Sequence, residues 1–312
     1  MMGAFLRGRD LLTIADLGAE DIWAVLDLAK ELKNGREPGM DARRHESKAV
    51  ALILEKPSLR TRVSFEVACH RLGMHPVILG GSDNVFSRGE SVHDSIKTLE
   101  RYVDAICVRT FEQSKVEEIA NLAEVPVVNM LTDEHHPCQG LADLMTIVEN
   151  FGRLSGLRFA YVGDGNNMAN TYLLAGATTG MEVAISCPHG YRPHEAILAR
   201  AQELALENGG RIELAADPGA AVRDAQVVVT DTWTSMGQED EHQRRLEAFE
   251  GYIVDPELMG LAATDAIFLH CLPAHRGEEV ADEVIDAPYS KVFDEAENRL
   301  HAQQALLALL LG

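Results

Sequence analysis

Short apolar runs, each followed by an amphipathic stretch, recur down this chain and leave it few folds to choose from. In the first half they fall at residues 49–54, 75–79, 105–109 and 125–129, with helical patterns at 19–33, 61–72, 92–102 and 115–123. A helical run at 141–151 follows, and the rhythm restarts. Strands are expected at 158–162, 182–186, 211–215, 225–230 and 266–269, and helices at 168–180, 194–208, 278–286 and from 295. Strands separated by helices do not pair as tight hairpins; they pair in parallel, with helices covering both faces. Two such sets in 312 residues predict an α/β chain of two domains. Each is a mainly parallel sheet flanked by helices, and 141–151 and the terminal helix are interdomain connectors.

In parallel sheets ligands bind beyond the carboxyl ends of the strands, and the unusual residues of this chain lie there. After the first strand comes Pro57-Ser58-Leu59-Arg60-Thr61-Arg62. Pro57 cannot continue a ladder, and Ser58 is placed to cap the next helix. The plain alternative is a capped helix with its arginines in water. Cations in a first helical turn oppose the helix dipole, so an anion among them is the better reading. Arg109 closes a strand and, taken alone, reads as a solvated charge. His136 and Gln139 bracket Pro137 ahead of the 141–151 helix and could polarise a carbonyl beside that anion site.

The second half offers Gly163-Asp164-Gly165-Asn166-Asn167-Met168 at a strand end. A dinucleotide reading fails on the third glycine, replaced by Met168, and on the missing ribose-binding acid after the next strand. A turn presenting Asn166 and Asn167 to a small polar ligand fits better. Asp231-Thr232-Trp233-Thr234-Ser235-Met236-Gly237 follows another strand and offers a carboxylate, hydroxyls and backbone N–H groups to an amino acid; a Trp-anchored loop is the plainer reading. His270 and Cys271, taken with His135, His136 and Cys138, raise the question of zinc, but their spacings do not match common ligand patterns, and no metal or cofactor is expected.

Charge and cysteine usage bound the partners. With 28 basic against 49 acidic residues the net charge is −21, which disfavours nucleic acid and anionic membranes. Five cysteines without paired spacing argue against a disulfide framework, and no stretch resembles a signal peptide or a membrane span, so a cytoplasmic protein is expected.

Together these motifs resemble the aspartate/ornithine carbamoyltransferase family over nearly the whole chain. Ser58–Arg62 is similar to the family's Ser-x-Arg-Thr-Arg, and His136–Gln139 to its His-Pro-x-Gln. The Asp231–Gly237 segment and His270-Cys271-Leu272-Pro273 resemble motifs of the ornithine branch. Val85 departs from the pattern, standing where many bacterial members carry a glutamine.

The resemblance implies a carbamoyl-phosphate-binding domain at 1–138, with 295–312 packing back onto it, and an ornithine-binding domain at 139–294. Ser58, Leu59, Arg60, Thr61 and Arg299 would hold the phosphate, and Arg109, His136, Gln139, Cys271 and Leu272 the carbamoyl group. Asn167, Asp231, Ser235 and Met236 would hold the α-groups of L-ornithine, with Cys271 lining its δ-amine. Arg60, Arg109, His136 and Cys271 would be the catalytic set. The implied reaction yields citrulline and phosphate, a step of arginine biosynthesis or of urea-cycle type, and no cofactor takes part. The implied assembly is a homotrimer, or a multiple of trimers, with the loop near 87–90 reaching a neighbour's site. Another amine acceptor, such as putrescine or an N-acylated ornithine, is the alternative within the class. A non-catalytic anion-binding relative and a nicotinamide dehydrogenase are the alternatives outside it.

Overall fold

The expected alternation becomes two parallel sheets in the computed structural model, which describes residues 6–35, 45–81, 89–235, 237 and 239–312. The chain divides into two compact units, Met1–Met145 with Glu297–Gly312, and Thr146–Ala296.

In the first unit α1 (Ala19–Lys33) precedes β1 (Ala49–Leu54), α2 (Leu59–Arg71), β2 (His75–Gly80), α3 (Val92–Leu99), β3 (Ala105–Arg109), α4 (Gln113–Leu122) and β4 (Val127–Leu131). The strands lie in the order β2-β1-β3-β4, all parallel. Side chains alternate across a strand, so Ala51 and Ile53 join Ile106, Val108, Val116 and Ile119 in one core layer. Each fully buried Ile or Val in it stabilises the unit by roughly 1.5–3 kcal/mol. Helix α5 (Pro137–Phe151) leads out of this unit.

The second unit runs β5 (Arg158–Val162), α6 (Asn167–Thr179), β6 (Glu182–Ser186), α7 (Glu195–Asn208), β7 (Arg211–Leu214), α8 (Pro218–Val222) and β8 (Val227–Thr230). Then come α9 (His242–Ala248), α10 (Pro256–Met259), β9 (Ile267–His270), α11 (Asp282–Ile285) and the start of α12 (Val292–Leu311), whose later residues belong to the first unit. The order is β7-β6-β5-β8-β9, again all parallel. Helix α6 is buried from Met168 to Thr179. It lies so close to β6 that a Cβ on Gly176 would stand 2.2 Å from Val183 Cγ2, which requires glycine there.

Three of the departures from expectation have a plain physical cause. The fourth strand is Val127–Leu131 rather than 125–129, because buried Asn129, which reads as a strand end, donates to Leu12 O at 2.8 Å inside the strand. Helix α5 begins at Pro137, not Leu141, since proline's missing N–H costs nothing in a first turn. The helix expected at 278–286 shrinks to Asp282–Ile285, because Val280 bridges Val254 and Arg276 while Glu279 turns inward. Among the described residues no helix is long and apolar enough to cross a membrane.

Candidate active site

Each sheet reverses its strand order once, and such switch points leave a crevice beyond the carboxyl ends of the two diverging strands. In the first unit the reversal lies between β1 and β3. Glu55 ties those two ends together. Its N–H donates to Arg109 O at 2.9 Å, and its carboxylate accepts from Lys115 Nζ at 2.7 and 2.8 Å and from the Thr110 hydroxyl.

On this base α2 begins, with Ser58 as N-cap accepting from Thr61 N at 3.2 Å. Thr61, fully buried, receives two guanidinium groups on its hydroxyl: Arg299 at 2.8 Å and Arg109 at 3.4 Å. Arg60 is half-buried at the second position of the helix. His136 is buried nearby. Burial first, and then the charges of Arg299, Arg109 and Arg60, hold its imidazole well below the usual range. It is therefore neutral near pH 7 and can donate a hydrogen bond without adding charge. Gln139, fully buried, donates to Asp143 Oδ1 at 2.7 Å across one turn of α5, which fixes its amide. Three guanidinium groups around a neutral imidazole, at a helix start, suit a multiply charged anion carrying a carbonyl.

The structure sorts the arginine motif. Arg62 is exposed and pairs with Glu66 at 3.5 Å, outside the cluster. Leu59 is 77% exposed, so its contribution to an anion site is its backbone N–H.

In the second unit the reversal lies between β5 and β8. Asn166 caps α6, accepting from Met168 N at 2.9 Å, and its amide donates across the switch to Asp231 Oδ2 at 2.7 Å. Asp231, buried, also accepts from Thr232 N at 2.8 Å and from Cys271 Sγ at 3.1 Å. Leu272 holds a left-handed φ of 57°, costly for a branched side chain. Its N–H donates to His270 Nδ1 at 2.9 Å, which fixes the tautomer so that His270 Nε2–H faces Glu279 Oε1 at 3.2 Å. Asp231, His270 and Cys271 lie close enough to invite a metal, but both His270 nitrogens are already engaged inside the protein. Asn167 opens α6 and Ser235 is half-buried on the loop; Met236, Val85 and residues 87–88 fall outside the described residues.

Sequence reasoning missed the support beneath this loop. Arg245 pairs with Asp164 at 2.8 Å and donates to Trp233 O at 2.8 Å, while Trp233 stacks on Phe249 with centroids 5.3 Å apart. Burial raises the Asp164 carboxyl to about 6 against the lowering effect of Arg245. Asp164 lies in the glycine-rich turn, where Gly165 passes so near Pro193 that a Cβ would stand 2.3 Å from its nitrogen. No local signal links Asp164 to an arginine 81 residues away.

These titrations predict an acid-labile fold. Burial lowers His135 to about 4 and His136 well below its ordinary 6.5. A depressed histidine lets the unfolded chain bind more protons, so stability is full above about pH 6.5 and falls as pH drops toward the folded value. From pH 7.5 to 5.5 His135 should cost roughly 1.4 kcal/mol, His136 should act in the same direction, and Asp164, of opposite sign, should return somewhat under 1 kcal/mol. Urea unfolding at both pH values should show a net loss of stability at pH 5.5, at least roughly 0.5 kcal/mol from His135 and Asp164 alone. Equal stability would mean that neither histidine is neutral in the fold.

Residues 9–149 match the carbamoyl-P binding domain of aspartate/ornithine carbamoyltransferase, and residues 155–310 its Asp/Orn binding domain. The chain belongs to the aspartate/ornithine carbamoyltransferase family. Within it, the chain is similar to ornithine carbamoyltransferase of Pyrococcus abyssi, 50% identical over 98% of this chain and 97% of the relative. An anabolic ornithine carbamoyltransferase of Pyrococcus furiosus is 50% identical over 98% of each chain. The solved ornithine carbamoyltransferase of P. furiosus superposes with a TM-score of 0.94 at 50% identity, covering 98% of both chains. That of Gloeobacter violaceus gives 0.88 at 47%, covering 98% of this chain and 100% of the other.

Proposed function

We propose that the protein transfers the carbamoyl group of carbamoyl phosphate to the δ-amine of L-ornithine, giving L-citrulline and phosphate. The observation that carries this reading is the guanidinium cluster of Arg60, Arg109 and Arg299 around neutral His136 and the Thr61 hydroxyl. Such a cluster suits a phosphate bearing a carbonyl, and so supports this reading. The names of the relatives, anabolic in one case, support the acceptor and a place in arginine biosynthesis.

In this reading Ser58, the backbone at Leu59, Arg60, Thr61 and Arg299 hold the phosphate. Arg109, His136, Gln139 and the Cys271–Leu272 segment hold the carbamoyl group, with His136 donating to the carbonyl oxygen as charge grows there. Asn167, Asp231, Ser235 and Met236 take the α-ammonium and α-carboxylate, and Cys271 lines the δ-amine. The amine nitrogen attacks the carbonyl carbon, the C–O bond to phosphate breaks, and phosphate leaves with the bonding pair. A proton must then leave nitrogen, and the departing phosphate is basic enough to take it.

Because the substrate brings its own leaving group, the protein supplies position and electrostatics rather than a nucleophile. An alkyl amine with a pKa of about 10.4 costs roughly 4–5 kcal/mol to present neutral near pH 7. A site that strips water from the cation meets part of this.

We place the protein in the cytoplasm as a homotrimer or a multiple of trimers, in line with the family resemblance. Sedimentation equilibrium tests the assembly. The activity is tested by assaying citrulline formation from carbamoyl phosphate with ornithine, putrescine and N-acetylornithine. Activity should persist after prolonged EDTA treatment; loss that zinc restores would contradict the metal-free route.

A further inference from the structure

The loop that follows β8 is held by two histidines to which the proposed chemistry gives no task. Thr232 Oγ1 donates to Thr234 O at 3.0 Å. With its proton committed there, it accepts from His275 Nδ1, also at 3.0 Å. Thr234 Oγ1 meets His242 Nδ1 at 3.3 Å, and His242 Nε2 lies 3.7 Å from Glu278 Oε1. The backbone N–H of His275 donates to Glu279 Oε1 at 2.5 Å, a fully buried carboxylate that also receives His270. The two threonines between Asp231 and Ser235 are thus each fixed from a separate segment, one by the turn after β9 and one by the start of α9.

We infer that His275 and His242 are positioning residues for the acceptor amino acid. They set the path of Thr232–Thr234 and with it the spacing between Asp231, proposed for the α-ammonium, and Ser235, proposed for the α-carboxylate. The inference rests on that ornithine reading. A loop ordered before ligand arrives does not spend binding free energy on ordering, so loosening it raises the KM of the ligand it holds. The reacting carbonyl is held by other residues, so kcat and the KM for carbamoyl phosphate should stay nearly unchanged. His275 and His242 have side chains 47% and 45% exposed, so replacing either leaves the core intact.

The test uses atom-specific replacements. The bond to Thr232 comes from Nδ1, whose place an asparagine amide reproduces and a glutamine amide, lying near Nε2, does not. His275→Gln and His275→Leu should raise the KM for ornithine about 3–10-fold, the size of one neutral hydrogen bond, and His275→Asn should restore it. Thr232→Val should act like His275→Leu, and the double variant should lose less than the product of the two. Equal KM for ornithine in wild type and His275→Leu would overturn the inference, as would Asn and Gln variants that fail alike. A general structural defect would show in the same samples as lower kcat and thermal midpoint in all variants, and would also overturn it. A wild type that makes no citrulline from ornithine would instead strike the functional reading, and this inference with it.

Discussion

Arg60→Ala should lower the rate of citrulline formation by about 10²–10³-fold, a loss of roughly 2.7–4 kcal/mol of transition-state stabilisation. The guanidinium stands in the first turn of α2, close enough to His136 to depress its imidazole. Charge gathers on phosphate as the C–O bond breaks, and a donor fixed beforehand at that place costs no reorganisation when it does. The fold should survive, because the cap from Ser58 to Thr61 and the bond from Arg299 to Thr61 do not involve Arg60. A rate within threefold of wild type, in a protein with an unchanged thermal midpoint, would end the assignment of the anion site.

The second large effect concerns the choice of acceptor. Asp231 accepts from Asn166, Thr232 N and Cys271, an arrangement that aims a carboxylate rather than leaving it to solvent. Asp231→Asn removes the charge and sets an amide N–H2 against groups that are themselves donors. Breaking a buried charge pair costs about 3–5 kcal/mol, so kcat/KM for ornithine should fall by two orders of magnitude or more. N-acetylornithine brings no α-ammonium, so the substitution should cost it far less and narrow the gap between the two. If wild type prefers putrescine or N-acetylornithine, the ornithine assignment fails while the transfer chemistry stands.

Most of the architecture was legible in the sequence because the strands of a parallel sheet are short, apolar and punctuated. The strands at 49–54, 105–109, 158–162 and 182–186 are read to the residue. Where polar residues turn inward the pattern misleads: Asn129 continues a strand that its polarity seems to end, and Glu279 leaves a helix that its neighbours favour. The strand-end rule also anticipated which residues come together, Thr61 with Arg109 in one unit and Asn166 with Asp231 and Cys271 in the other, since a parallel sheet gathers its loops on one edge. Which of two like residues in one motif faces inward was not legible from the pattern alone. Arg60 joins the cluster and Arg62 pairs along its own helix; Asn166 reaches Asp231 while Asn167 opens the helix. Nor were the supporting pairs, Gln139 with Asp143 and Asp164 with Arg245, because nothing local marks a partner fixed by tertiary packing.

The bond from Arg299 to Thr61 joins residues 238 positions apart, and its donor lies on the helix that closes the first unit. During synthesis the amino-terminal sheet can form long before that guanidinium leaves the ribosome, since domains fold as they emerge. The nascent sheet would then have a binding place for phosphate that lacks one of its three cations. On the proposed role of Arg299, the third cation would arrive only when the helix, buried from Ala305 to Leu311, seats itself. If Arg299 holds phosphate as proposed, ligand capture depends on the seating of this helix, and carbamoyl phosphate would favour chains in which it is docked over chains that lack it.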